Sequence, residues 1–291
     1  MNVLITGCGG MLGSAVLPAF LKAGHSVTAT DLVPRPGIEY LDVRHPGAVR
    51  RMVAKVDPGL ILHLAAETDL EKCEEDRDHA FLTNAVGTQN VVLAAGDIPV
   101  VYISTAGVFD GRKHDPYDEF DRPNPINVYG ASKYAGEEAV AGLKRHFIVR
   151  AGWMIGGGER DHKFVAKIRS QLDAGAGIIR AVDDKWGTPT YTEDFAANLL
   201  ALIETPLYGL YHMTCHGKAT RYDVACEIVS CLGSDAAVVR ESSDRFRFEY
   251  FAPRPRSEAM RNYMLDARGL DQMRPWQEAL RAYLSSSSEG T

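Results

Sequence analysis

The strongest constraint on this chain lies at its start. An apolar run, Val3-Leu4-Ile5, stops at Gly7-Cys8-Gly9-Gly10-Met11-Leu12-Gly13, and a helical pattern follows to about Ala23. Strand, glycine-rich turn and helix in that order are the context in which glycines serve a dinucleotide. Glycines at 7, 10 and 13 let the turn fold tightly, let the backbone approach a pyrophosphate, and let the helix pack closely on its strand. A second strand, residues 26–30, ends in Asp31. A carboxylate there accepts hydrogen bonds from a ribose 2′-OH and repels a 2′-phosphate, so among NADH and NADPH it favours NADH. Arg35 is near enough in sequence to blur that preference.

The alternation continues. Tyr40-Leu41-Asp42-Val43 follows a short loop, residues 46–56 read as a helix, and 60–64 form an apolar strand closing in His63-Leu64-Ala65-Ala66. Residues 80–95 read as one helix carrying Asn84, and 100–104 as a strand ending at Ser104-Thr105. Residues 147–150 form a further strand. Repeated strand–helix units predict an α/β fold, a Rossmann-type doubly wound parallel sheet, with ligands at the carboxyl ends of the strands. The residues expected along the cofactor are therefore Gly7, Gly10, Met11, Leu12, Asp31, Asp42, Val43, Ala65, Ala66 and Thr68. His63 has no acid–base partner in view and reads as structural.

Beyond Trp153 the alternation loosens. Residues 187–191 read as a turn-rich connection, Gly209–Met213 as a strand, and 221–232 as a helix, with Arg254-Pro255-Arg256 before the last helices. This organisation predicts a dinucleotide-binding domain over 1–150, to which later segments return. Residues 151–284 then form mainly a smaller C-terminal α/β substrate lobe, and 285–291 a disordered tail.

Chemistry enters with Val128-Tyr129-Gly130-Ala131-Ser132-Lys133. On a helix, residues four apart share a face, so Tyr129 and Lys133 are neighbours. A nearby ammonium stabilises phenolate and lowers the phenol's pKa from about 10, which makes Tyr129 a usable acid. The net charge of −6 gives no nucleic-acid or membrane surface. No apolar run reaches the ~20 residues that span a bilayer. The N-terminus lacks the pattern of a signal peptide, so the cytoplasm is the expected location. Five cysteines without paired spacing predict neither a metal site nor a disulfide framework.

Taken together, the glycine loop, Asp31, Ser104-Thr105 and Tyr129-x-x-x-Lys133 resemble the extended short-chain dehydrogenase/reductase family, over nearly the whole chain. Within it, Val108-Phe109-Asp110-Gly111 after Ser104-Thr105, the stretch Gly187-Thr188-Pro189-Thr190-Tyr191, and Tyr211-His212 with Arg254-Pro255 are similar to the dTDP-4-dehydrorhamnose reductases. That resemblance implies Thr105, Tyr129 and Lys133 as the catalytic set, with Tyr129 and Lys133 also on the cofactor. It implies Thr105, Tyr129 and Trp153 on the sugar, and Ser104 as a bystander.

The implied activity is NADH- or NADPH-dependent reduction of the 4-keto group of a nucleotide-activated deoxysugar, dTDP-linked, with a homodimer as an expected assembly. Two departures stand out. The family's acidic and aromatic residues after the threonine are Ala106 and Gly107 here, and Ser14-Ala15 replaces a glutamate that helps a metal bridge two subunits. The alternatives are a sugar-nucleotide 4-epimerase with tightly bound NAD, or a dinucleotide-binding regulatory subunit like that of methionine adenosyltransferase. Ala106-Gly107 cannot supply the acid–base pair of a 4,6-dehydratase.

Overall fold

The computed structural model describes residues 1–286. Its centre is a parallel sheet built from β1 (Asn2–Thr6), β2 (Ser26–Asp31), β3 (Glu39–Tyr40), β4 (Leu60–His63), β5 (Val100–Thr105), β6 (His146–Ala151) and the edge strand Gly209–Met213. Their order across the sheet is Gly209–Met213, β6, β5, β4, β1, β2, β3. Val3, Leu4, Ile5, Ile61, Leu62, Val100 and Val101 are all buried. Both faces are covered, which is why these strands read as continuous apolar runs rather than as alternations. The chain runs outward from β1 to β3 and then returns to place β4 on the other side of β1. Strand order thus reverses between β1 and β4, and the crevice at their carboxyl ends is where such sheets take ligands.

Three stretches differ from their sequence reading. Residues 187–191 are strands: Trp186–Gly187 pairs antiparallel with Ala219–Thr220, and Pro189–Tyr191 runs parallel to Trp153–Ile155. Proline is tolerated because it opens its strand, and the β-branched Thr188 and Thr190 are fully buried. Residues 80–95 are interrupted: a π-turn, Leu82–Val86, separates the helices Arg77–Phe81 and Gly87–Ala95. Ser285 and Ser286, read as tail, close the helix Trp276–Ser286, each hydroxyl bonding a carbonyl of the preceding turn. The remainder of the 285–291 tail lies outside the described residues. Among the described residues no helix is long and apolar enough to cross a membrane.

Candidate active site

The glycine loop leaves β1 with φ near +72° at Gly7, where a Cβ would lie 2.4 Å from the Ala65 nitrogen. Only glycine lets the turns after β1 and β4 cross this closely. A Cβ on Gly13 would meet the Cys8 carbonyl oxygen at 2.1 Å, so this glycine seats the helix Met11–Lys22 against its own loop. Gly10 differs. It is exposed, caps that helix, and a Cβ there would have no neighbour nearer than 3.6 Å. Open space over a helix N-terminus is what a pyrophosphate needs.

Asp31, at the end of β2, accepts the Gly9 N–H at 2.9 Å and the Val33 N–H at 3.0 Å, while Arg35 Nη1 reaches the Gly9 carbonyl at 3.4 Å. Carboxylate and guanidinium thus flank one loop. Ala65 and Ala66 are half-buried beside it, Met11 and Leu12 begin the helix, and Thr68 lies at the exposed rim. Asp42 is ion-paired with Arg44 at 2.7 Å, and that guanidinium's hydrogen bonds hold its carboxyl below the usual range. Val43 turns its side chain into the core, while its carbonyl takes the Asn90 amide at 2.9 Å. His63 is buried between the hydroxyls of Thr6 and Thr88. Burial and then the Lys133 charge push it down to about 3, so it is a neutral structural group.

Thr105 ends β5 and accepts the Gly107 N–H at 3.1 Å, which turns the chain sharply after the strand. The helix Val128–Ala141 lies directly against that turn: a Cβ on Gly130 would be 2.1 Å from the Gly107 carbonyl oxygen. Asn127 caps the helix by accepting the Gly130 N–H at 2.7 Å and ties it to the Pro253 carbonyl at 2.8 Å. Farther along, a Cβ on Gly136 would be 2.3 Å from the Tyr102 hydroxyl. These approaches bring Tyr129 to Thr105. Asn84, held in the π-turn, bonds both backbone groups of Glu67 and the Ser132 hydroxyl, joining the loop after β4 to the Tyr129 helix. Ser104 faces away and donates to Glu137.

Electrostatics depart from the sequence reading. Burial raises Tyr129 to about 12, and the Thr105 hydroxyl beside it is the one neighbour that lowers it; Cys73 and Glu258 add to the rise. The Lys133 ammonium lies 4.1 Å over the Tyr102 ring, and burial pushes it down to about 7 against the attraction of Glu137. Tyr129 is therefore held as the neutral phenol.

Trp153 sits at the other end of the same cleft. Its Nε1 donates to Glu258 Oε2 at 2.9 Å, and the Arg221 guanidinium stacks 3.8 Å over its ring. Arg221 is partly open to the cleft but surrounded by protein, which pushes it down to about 10. Lys163 nearby is lowered by desolvation and then by Arg221. The sequence reading missed Glu258, Arg221 and Lys163, because none of them stands in a local pattern that marks a site. Among the described residues no group of three or more His, Cys, Asp or Glu is placed to hold a metal.

Residues 1–288 match the family model described as RmlD substrate binding domain. The dTDP-4-dehydrorhamnose reductase of Mycolicibacterium smegmatis is 36% identical over 96% of this chain and 84% of its own. A probable dTDP-4,6-dihydroxy-2-methyloxan-3-one 4-ketoreductase of Streptomyces antibioticus is 33% identical, over 97% and 94%. The crystal structure of the Bacillus anthracis dTDP-4-dehydrorhamnose reductase in complex with NADP superposes with a TM-score of 0.90 at 34% identity, covering 98% of this chain and 99% of that one. With the family match spanning the chain and these relatives aligned nearly end to end, the protein belongs to the RmlD substrate-binding-domain family, within the extended short-chain dehydrogenase/reductases.

Proposed function

We propose that this protein reduces the 4-keto group of a dTDP-linked deoxysugar with NADH or NADPH. The observation that carries the reading is Tyr129, a half-buried phenol held protonated beside the Thr105 hydroxyl at the carboxyl edge of the sheet. The open space at Gly10 and the crossing of Gly7 over Ala65 fit a dinucleotide. Gly7, Gly10, Met11 and Leu12 would take its pyrophosphate, Asp31 its ribose, and Asp42, Val43, Ala65, Ala66 and Thr68 the rest of the adenosine side, with Lys133 on the nicotinamide ribose. Asp31 favours NADH, and Arg35 beside the same loop leaves NADPH usable. When bound, the reduced nicotinamide supplies the hydride.

The chain's own residues handle the proton. As the carbonyl oxygen gains negative charge, Tyr129 gives it the phenol proton and Thr105 hydrogen-bonds the same oxygen. A phenol at about 12 is still a far stronger acid than an alcohol, whose oxygen is comparable to water at ~15.7. The transfer therefore runs downhill in the direction of reduction. The relatives described above are named as a reductase and a 4-ketoreductase of dTDP-linked compounds, and the epimerase and regulatory-subunit readings are not carried further.

Residues 151–284 supply the substrate lobe in this reading, with Trp153 beside the sugar. Arg221 and Lys163 crowd each other there, and neither makes an ion pair among the described residues, which suits the diphosphate of a nucleotide sugar. A cytoplasmic homodimer belongs to the same reading, and light scattering of the purified chain tests the assembly.

The deciding experiment is NADH oxidation with a dTDP-4-ketosugar. Tyr129→Phe should lower kcat by roughly 10²–10⁴ while dinucleotide binding survives. Thr105→Val should cost less, because it removes one hydrogen bond and leaves the proton donor. Turnover by Tyr129→Phe at the wild-type rate overturns the assignment.

A further inference from the structure

The carboxyl of Glu258 stands in this cleft, and no step above uses it. Its backbone is held on both sides. The Glu258 N–H donates to the Trp186 carbonyl at 2.8 Å, and the next carbonyl, of Ala259, takes the Tyr117 N–H at 2.8 Å. The side chain is held as well, since Trp153 Nε1 binds Oε2 at 2.9 Å. Oε1 has no hydrogen-bond donor among the described residues, and Arg221 spends its guanidinium face on the Trp153 ring without forming an ion pair with the acid. This free oxygen lies 3.6 Å from the point that a Cβ on Gly107 would occupy, and Thr105 Oγ1 lies 3.4 Å from the same point. One small space is therefore bounded by the hydroxyl that takes the carbonyl oxygen and by a bare carboxyl oxygen, and it is open because residue 107 has no side chain.

Glu258 is half-buried and Oε1 is open to the cleft, so a ligand hydroxyl that reaches it makes a hydrogen bond to a carboxyl already fixed in place by Trp153. Burial raises Glu258 against the Trp153 bond and the charges of Arg221, Arg254 and Lys185. Substituents on the ring carbon next to the reacting carbonyl project into the space beside Thr105. In a 6-deoxy-4-ketosugar one neighbouring carbon bears the methyl group, and the other, C3, bears a hydroxyl.

We infer that Glu258 Oε1 accepts a hydrogen bond from the C3 hydroxyl of the sugar and thereby selects 3-hydroxy over 3-deoxy ketosugar nucleotides. The inference rests on the ketoreductase reading. A C–H in place of the hydroxyl leaves the carboxyl unpaired. The discrimination expected for a hydrogen bond to a charged group is about 10–100-fold.

The test compares dTDP-4-keto-6-deoxyglucose with its 3-deoxy analogue as substrates for wild type, Glu258→Gln and Glu258→Ala. Dinucleotide affinity serves as the check that each variant is folded. Calorimetric binding of the two corresponding 4-hydroxy nucleotide sugars to the NAD-loaded protein provides a second readout. Wild type should favour the 3-hydroxy sugar by about 10–100-fold in kcat/KM. Glu258→Ala should bring that ratio close to unity by losing the hydroxylated substrate, with the deoxy substrate little changed, while Glu258→Gln, whose amide oxygen still accepts, should keep a reduced preference. An equal ratio in wild type and variants, or no preference in wild type, overturns the inference. Should wild type reduce neither sugar, the ketoreductase reading falls, and the binding arm decides alone. A 3-hydroxy preference lost in Glu258→Ala upholds the contact, and equal affinities in wild type overturn it.

Discussion

Lys133 and Glu137 lie one turn apart on the same helix, and both are buried, with relative exposures of 3% and 4%. Glu137 is fully engaged: Arg150, itself 2% exposed, reaches it through Nε at 2.9 Å and Nη2 at 2.7 Å, and Ser104 donates to it as well. The same guanidinium approaches the neutral His212 at 3.4 Å. Lys133 has no ion-pair partner among the described residues and rests on an aromatic face. A buried charge with every bond made is a fastening between helix and sheet. A buried charge left without a counter-ion weakens the fold, and what retains it is the ligand side of the cleft.

The sharpest way to break this contrast is Lys133→Met. Turnover should fall through weakened dinucleotide binding, read as a raised KM for the cofactor, while the melting temperature rises, because the variant removes a desolvated ammonium. The sign of the pH dependence agrees. Burial pushes Lys133 down to about 7 in the fold, against an ordinary value of 10.5, so between those values the unfolded chain binds the extra proton. Its burial penalty is full below pH 7 and is relieved as pH rises towards 10.5. The stability gained by Lys133→Met should therefore shrink across that window, and a gain that is flat with pH would contradict the assignment.

Glu137→Ala or Arg150→Ala should do the reverse and destabilise by about 3–5 kcal/mol, since each strands its partner in the interior. For a chain of this size that corresponds to a fall in Tm of roughly 2–4 °C per kcal/mol. The double change Glu137→Leu with Arg150→Met should recover most of the loss in thermal unfolding. If it does not, the pair does more than fasten. The smallest effect belongs to Asp31→Ala, expected to shift the NADH-to-NADPH ratio of kcat/KM by about tenfold or less, the scale of one lost hydrogen bond.

What could be read from the sequence was local. The glycine loop lies between the strand and helix it joins, and Tyr129 and Lys133 are linked by helical spacing alone. Residues 187–191 misled because a proline and a glycine signal a turn, whereas the partners that make this stretch a pair of strands, Trp153–Ile155 and Ala219–Thr220, lie far along the chain. Glu258 and Arg221 escaped for the same reason: each faces the cleft only after the segments carrying them fold back onto β5 and Trp153. Helical spacing makes Lys133 and Tyr129 neighbours and says nothing of burial, which raises the phenol and lowers the ammonium.

The π-turn at Leu82–Val86 has a consequence for how this chain can change over generations. A regular α-helix advances about 100° per residue, and the π-turn holds one residue more than such a helix would. Losing one residue there would mend the helix and swing the Asn84 amide away from Glu67 and Ser132. The better-formed helix would then be the one that lets the loop after β4 and the Tyr129 helix drift apart. Length is thus fixed in this segment by a single amide, and substitutions of the residues around it are tolerated more readily than any insertion or deletion.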